Sequence, residues 1–330
     1  MSALFTAKLV RRALAGAATA LIACAGTAVA ADYPARPIRM IVPFAPGGST
    51  DLVGRLIAEY VGRELGQSIV VENKGGAGGA VGAELIARSV PDGYTVGMAT
   101  VSTHGSNPAI YKNLKYDPVK DFAPISNVMG IPSVFAVNPK VPAKDMKEFI
   151  ALAKADPMKY SFASPGVGSL GHANIENFMM LSDIKLLHVP YRGAGPALND
   201  AMAGEVDAIT DNLSSTLPHL LADRLRPLAV LGAERSDVLP DVPTYAELGF
   251  PSMGTGGWFG LVAPAGTPKD VIDTLNQAVK KAAANPEFQE RAKKAGGTLM
   301  TNSPDEFAKQ IDAALDRYAK VVKAANIQAN

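Results

Sequence analysis

The sequence predicts an α/β protein of two lobes, each a mostly parallel sheet flanked by helices. Three observations carry this. Residues 38–44 form a near-continuous apolar run, as a strand buried on both faces requires, and a glycine-rich loop and an amphipathic segment follow it. That strand–loop–helix order then recurs, and strands alternating with helices assemble into sheets covered on both sides. A second series of the same kind starts near Ser133, in a chain of 330 residues that is long enough for two cores.

In chain order, the first strand runs into Ala45-Pro46-Gly47-Gly48-Ser49-Thr50, a loop by composition. The helix after it places Leu52, Leu56, Ile57, Tyr60, Val61 and Leu65 on one face. Residues 68–72 read as a strand, 75–79 as a glycine loop, 80–89 as a helix and 94–99 as the next strand. The second series has strands at 134–137, 159–163, 186–190, 206–210 and 225–231, the first four separated by helices that end at 154, 181 and 203. The remainder is mostly helical. Thr267-Pro268 opens one helix with Thr as cap and Pro in the first position. Ser303-Pro304-Asp305-Glu306 opens the last with a capping box, and that helix aligns Phe307, Ile311, Leu315, Tyr318 and Val322. The segment at 137–145 recurs in outline at 262–270, sharing its Val, first Pro, Lys and Asp, and the two copies are read as the two crossings between lobes. The divisions are then 1–30 as a leader, 31–131 with 251–330 as one lobe, and 132–250 as the other.

The leader is read from its order of segments. Lys8, Arg11 and Arg12 precede an apolar stretch at 13–23, and Ala28-Val29-Ala30 follows. Charged, apolar and small in that order make a secretory signal peptide, and the apolar stretch falls short of the ~20 residues that cross a bilayer. Leu21-Ile22-Ala23-Cys24 also resembles a lipobox, but cleavage after Ala30 is preferred, and a periplasmic location follows. That cleavage discards the single cysteine and leaves 29 basic against 31 acidic residues, a net charge of −2. The charges are interspersed, so no basic stripe invites nucleic acid. Nothing marks an oligomer interface, and a monomer is expected.

The glycine loops are the informative feature. Gly47-Gly48, Gly166-x-Gly168 and Gly193-x-Gly195 each lie between a strand end and a helix start. In open α/β sheets ligands sit beyond the carboxyl ends of strands, where helix N-termini offer free N–H groups and partial positive charge. One such loop need only turn the chain; three facing one cleft hold an anion without a buried Lys or Arg. None continues as Gly-Lys-Ser/Thr, and residues 75–79 lack the dinucleotide spacing, so no cofactor is expected. His104, His172, His188 and His219 show no metal-ligand spacing. Ser169 and His172, three apart at a helix start, fit a nucleophile and base of a secreted hydrolase, or a helix cap; no Gly-x-Ser-x-Gly surrounds Ser169. Asp207, Asp211 and Asn212 end or follow a strand facing the cleft, where they either accept bonds from a ligand amine or hydroxyl or cap a helix. Trp258 stands near the second crossing, as hinge packing or as a wall of the cleft.

Together, Tyr33-Pro34-x-Arg36-Pro37-Ile38 and Val42-Pro43-Phe44-x-Pro46-Gly47-Gly48-x-x-Asp51 resemble the opening of Bug-family proteins, the extracytoplasmic solute-binding components of tripartite tricarboxylate transporters. The match continues in Pro91-Asp92-Gly93-Tyr94-Thr95, Gly166-x-Gly168-Ser169 with His172, Val189-Pro190-Tyr191-Arg192-Gly193 and Leu239-Pro240-Asp241-Val242-Pro243-Thr244. The resemblance implies a two-lobed type II periplasmic binding fold that closes on its ligand in a cleft between the lobes. It implies a small carboxylate (dicarboxylate, amino acid or aromatic acid) held by loop backbone groups, delivery to transporter subunits or a sensor, and no enzymatic activity. Carried over, the loop of Phe44, Gly47, Gly48 and Asp51 faces Ser164, Gly166, Gly168 and Ser169. Ser49, His172 and Gly193 sit in the same motifs. Ser102, Thr103 and Asp211 are further ligand-facing candidates, at positions that vary within the family. Gly75 stands where the family usually has Pro, which loosens that loop without touching the cleft motifs.

The leader generates a direct expectation. Mass spectrometry of protein from the native host finds an N-terminus at Ala31; a diacylglyceryl-modified Cys24 would overturn it.

Overall fold

The computed structural model describes residues 33–254 and 256–328, so the leader and Cys24 lie outside the described residues. The first sheet grows around β1 (Ile38–Val42), in which Ile38, Met40, Ile41 and Val42 are fully buried. After α1 (Ser49–Leu65), β2 (Ile69–Asn73) pairs with β1 in parallel; after α2 (Ala80–Ala87), β3 (Thr95–Thr100) does so on the other side. A π-helical turn at Ser102–Ser106 and the short α3 (Asn107–Ile110) lead to β4 (Phe122–Ile131). The chain then crosses at Pro132 to the second sheet, built from β5 (Ser133–Val137), α4 (Met146–Ala155), β6 (Ser161–Ser164), α5 (Leu170–Ser182) and β7 (Leu187–Pro190). It continues through α6 (Ala194–Ala203), β8 (Ala208–Asn212), α7 (Leu213–Leu221) and β9 (Arg226–Leu231). The return crossing enters β10 (Gly257–Pro264), and α8 (Lys269–Ala283), α9 (Pro286–Lys294), β11 (Thr298–Leu299) and α10 (Pro304–Ala324) complete the first lobe.

Strand orders are β11-β4-β10-β3-β1-β2 and β7-β6-β8-β5-β9. Both sheets are mixed, not mostly parallel as expected. The reason lies in β5 and β10, each antiparallel to both neighbours. Each is the strand by which the chain enters a sheet from the other lobe, so it arrives in the reverse direction. The internal echo falls at the far ends of these two strands, before α4 and α8. It marks equivalent places in the two lobes, not the crossings themselves, which lie at Pro132 and before Gly257. The crossings run side by side: Ile131 pairs with Gly257, and a Cβ on Gly256 would stand 2.3 Å from the Ile131 carbonyl oxygen.

Each lobe has its own apolar core. Phe135, Phe149, Phe162 and Phe178 fill the second; Ile41, Ile86, Phe307 and Tyr318 belong to the first, which extends across to Leu170 and Ala173 of α5. The capping box of α10 is present, with Ser303 N donating to Glu306 Oε2 at 2.8 Å. The start of α8 differs from expectation. Thr267 spends its hydroxyl on the Pro264 carbonyl at 2.8 Å, closing the turn, and Pro268 is the cap residue instead.

Between the lobes, backbone and hydroxyl groups of the first meet backbone carbonyls of the second. Ala45 N donates to Arg192 O at 3.2 Å, Ser106 Oγ to Gly168 O at 2.6 Å and Tyr111 OH to Val167 O at 2.8 Å. A Cβ on Gly78 would stand 2.3 Å from Val167 O, one on Gly193 2.6 Å from Ala45 N and one on Gly195 2.2 Å from Pro46 O. Gly75 belongs to the same seam: its Cβ would stand 2.5 Å from Arg192 O, so this position does touch the cleft motifs, contrary to expectation. Gly195 gives the cleanest test. It lies in α6, where Ala is the better helix former, so only the opposite lobe objects to a methyl group. Gly195→Ala is expected to keep its circular dichroism, to raise the cost of closing by about 1–3 kcal/mol and to show a larger radius of gyration in small-angle scattering. An unchanged radius would mean that this contact does not limit closure.

Candidate functional site

A cavity of about 30 Å³ lies where the carboxyl ends of β1, β3, β6 and β8 face one another across the seam. Its walls include Phe44, Gly48, Ser49 and Thr50 from the first lobe and Leu170, Gly171, Ala194, Asp211 and Asn212 from the second. Thr100, Val101 and Ser102 continue the first wall, while Ser133 and Gly257-Trp258-Phe259 form the floor at the crossings. Trp258 takes both roles offered for it: it lines the cavity and meets Phe307 edge-on at 5.2 Å.

Four helices start at this cavity: α1, α5, α6 and α7. The first N–H groups of any helix have no partner within it. Gly48, Gly193 and Asn212 cap α1, α6 and α7, and none provides a side-chain bond. Three of these amides find partners outside their own helix, Leu170 N in Ser102 Oγ at 3.0 Å, Ser215 N in Ser49 Oγ at 3.1 Å and Leu213 N in Pro132 O at 2.9 Å. The convergence supplies partial positive charge without a cation, and among the described residues no Lys, Arg or His lines the cavity.

The residues singled out from the sequence divide into three groups. Phe44, Gly48, Ser49, Ser102 and Asp211 reach the cavity. Gly47, Gly166, Gly168 and Gly193 lie in the seam or just behind it; a Cβ on Gly168 would stand 2.3 Å from Asn107 Oδ1. The rest brace the loops. Asp51 accepts from Gly47 N at 3.0 Å and Asn73 Nδ2 at 2.9 Å and pairs with Arg55 at 2.9 Å. Burial opposes the Asp51 charge, yet these bonds hold its carboxyl below the usual range. Ser164 Oγ bonds His188 Nε2 at 2.7 Å and receives Gly166 N at 3.2 Å. Thr103 Oγ1 lies 2.9 Å from Nδ1 of the fully buried His104.

Ser169 caps α5, accepting from His172 N at 3.2 Å, while His172 Nδ1 accepts from Gly168 N at 3.3 Å. Those bonds give the pair a local structural role. Asp207 lies at the opposite end of the second sheet, where Ser161 N and Oγ both donate to it at 2.8 Å. The sequence reading missed Ser215, although the hydroxyl-rich helix start Ser214-Ser215-Thr216 is a signal for it.

Asp211 is 6% exposed and, among the described residues, is the one charged residue in the cavity wall. Ser215 Oγ makes a short bond to its Oδ2, and Ser49 Oγ reaches the same oxygen at 3.3 Å from the other lobe. Ser49 Oγ also lies 2.8 Å from Ser215 Oγ and 3.0 Å from Asn212 O. Burial pushes the Asp211 carboxyl up to about 6 despite these neutral donors. A raised acid pKa means that the folded state holds its proton longer than the unfolded chain does. Stability is therefore lost as pH rises from about 4 to about 6, by at most about 3 kcal/mol. Asp211→Asn is expected to melt several degrees above the parent at pH 7.5 without ligand and level with it at pH 4. A variant no more stable at pH 7.5 would show that the charge is not strained.

The family model described as "Tripartite tricarboxylate transporter family receptor" matches residues 53–327. Among solved structures, the periplasmic binding protein BugD is 35% identical with a TM-score of 0.87, the match covering 90% of this chain and 100% of that one. Rpa4515 of R. palustris, solved with adipate, is 33% identical with a TM-score of 0.87 over 90% of this chain and 100% of its own. MatC (Rpa3494) from Rhodopseudomonas palustris, with bound malate, is 33% identical with a TM-score of 0.85 over 88% of this chain and 100% of its own. The chain thus belongs to the tripartite tricarboxylate transporter receptor family, whose members are solute-binding proteins and not enzymes.

Proposed function

We propose that this protein captures a small carboxylate in the periplasm and presents it to a tripartite tricarboxylate-type transporter. The observation that supports this best is the meeting of four helix N-termini, three without a side-chain cap, around one cavity. Free amides and helix dipoles stabilise a carboxylate there as they do phosphate elsewhere. Malate and adipate in two relatives make the same class of ligand the first choice here. At about 30 Å³ the cavity accepts one carboxylate group or one or two waters, on the scale of about 10–15 Å³ per water. A whole solute then enters by parting the seam, with the lobes turning about the crossings at Ile131 and Gly257.

Arg192 does not enter the anion site. Its side chain is exposed and lines a separate surface hollow with Tyr111 and Val167. Gly48, in contrast, faces Ala194 across the cavity, where an added Cβ would stand 3.1 Å from the Ala194 Cβ. A thermal-shift and calorimetry screen of dicarboxylates, amino acids and aromatic acids tests the reading, since a ligand of the native state raises the melting temperature. Gly48→Val is expected to fold and to lose at least about 100-fold in affinity, and Arg192→Gln less than about tenfold. Failure of every carboxylate to bind, or turnover of the one that does, would sink the proposal.

A further inference from the structure

The cavity presents two opposite fields. Helix termini on both lobes favour an anion, while the Asp211 carboxylate lies in the same wall with no cation beside it. Its donors are all neutral: the hydroxyls of Ser49 and Ser215 and the backbone amides of Asn212 and Ser49. Buried charges in folded proteins are ordinarily paired, because removing an ion from water costs several kcal/mol. Here, among the described residues, no Lys, Arg or His lines the cavity, and only the starts of α1 and α7 lie beside the acid. A plain diacid would place a second negative charge against the first, and like charges juxtaposed in a desolvated site repel strongly. A hydroxyl would satisfy an acceptor but leave the charge uncompensated.

We propose that the ligand carries a protonated amine that pairs with Asp211 while its carboxylate rests at the helix termini, so that Asp211 selects amino acids over plain carboxylic acids. The inference rests on the carboxylate-receptor reading above and narrows it. Ser49 gives the pairing a mechanical consequence. Its hydroxyl reaches from the first lobe to Asp211 and Asn212 of the second, so the acidic wall is complete only when the lobes are together. An ammonium seated against Asp211 stabilises that joined arrangement and disfavours the open one, which is the differential contact a closing receptor needs. Raised proton affinity at Asp211 fits the same picture, since a carboxyl strained without a counter-charge is relieved when one arrives.

Matched pairs of acids test this by isothermal titration on the purified mature protein: aspartate against succinate, glutamate against glutarate, 4-aminobutanoate against butanoate and phenylalanine against 3-phenylpropanoate. Malate is the hydroxyl control for the first pair. At least one amino acid is expected to bind on the order of 100-fold more tightly than its amine-free partner. Asp211→Asn is expected to erase that preference while keeping the weak affinity for the partner. The proposal falls if the amine-free acid or malate binds as tightly as its amino counterpart, or if Asp211→Asn keeps the preference. Binding by none of the acids, with or without an amine, is a different result: it removes the carboxylate-receptor reading, and this inference with it.

Discussion

Backbone contact between the lobes governs what the cleft loops are allowed to contain. Where Ala45 N meets Arg192 O, and where Gly78 meets Val167, there is no depth for a side chain on either surface. Two consequences follow. The loops are confined to glycine and small residues at Gly78, Gly193 and Gly195, whatever ligand the protein takes. Three of the four helices that start at the enclosed space also have no side-chain bond from their cap residue. One steric constraint therefore shapes both the closing surface and the anion site.

This changes how the glycine motifs are understood. Read as sequence, they suggest backbone drawn close to a ligand. In the structure, Gly166, Gly193 and Gly195 draw backbone close to the other lobe, and of the three paired-glycine loops Gly48 alone lines the cavity. The loops that would hold a carboxylate under the proposed function are also the loops that fit together only in the joined form. The crossings suit this arrangement. They lie side by side at Ile131 and Gly257, so a rotation there moves the loops at the far side of the cleft while leaving each core intact.

Much of the fold and about a third of the residues singled out for the candidate site were legible from residues alone because their physical causes are local. Residues 38–44 advertise a doubly buried strand, and Ser303 to Glu306 spell out a helix start. What stayed hidden depends on distant partners. The strand β4 reads poorly because Pro124, Asn127 and Gly130 interrupt it. In the fold, Pro124 lies beside a register irregularity, and Asn127 N is bonded to Asn302 Oδ1 at 2.8 Å. The mixed character of the sheets was equally illegible, since direction is set by where the chain arrives from. Asp51, Thr103 and Ser164 carried the chemistry of ligand contacts but turned out to hold loops in place. Ser133 reaches the cavity only because β5 lies beside β8, where its Oγ donates to Asn212 Oδ1 at 2.9 Å.

Asp51 and Asp211 show how two buried aspartates come to different fates. Both are almost wholly excluded from solvent, and both accept bonds from neighbouring polar groups. Asp51 also has Arg55 beside it, so its charge is compensated and its carboxyl stays ionised. Asp211 has only neutral partners, and its charge is held at a cost the fold does not recover by itself. A structural role needs the first arrangement; the second is a liability in a protein selected for stability alone. Ser or Asn would bond Ser49 and Ser215 without that cost. A residue that strains the ligand-free protein, in the wall of the cleft and shared between the lobes, is best explained by the molecule that completes it.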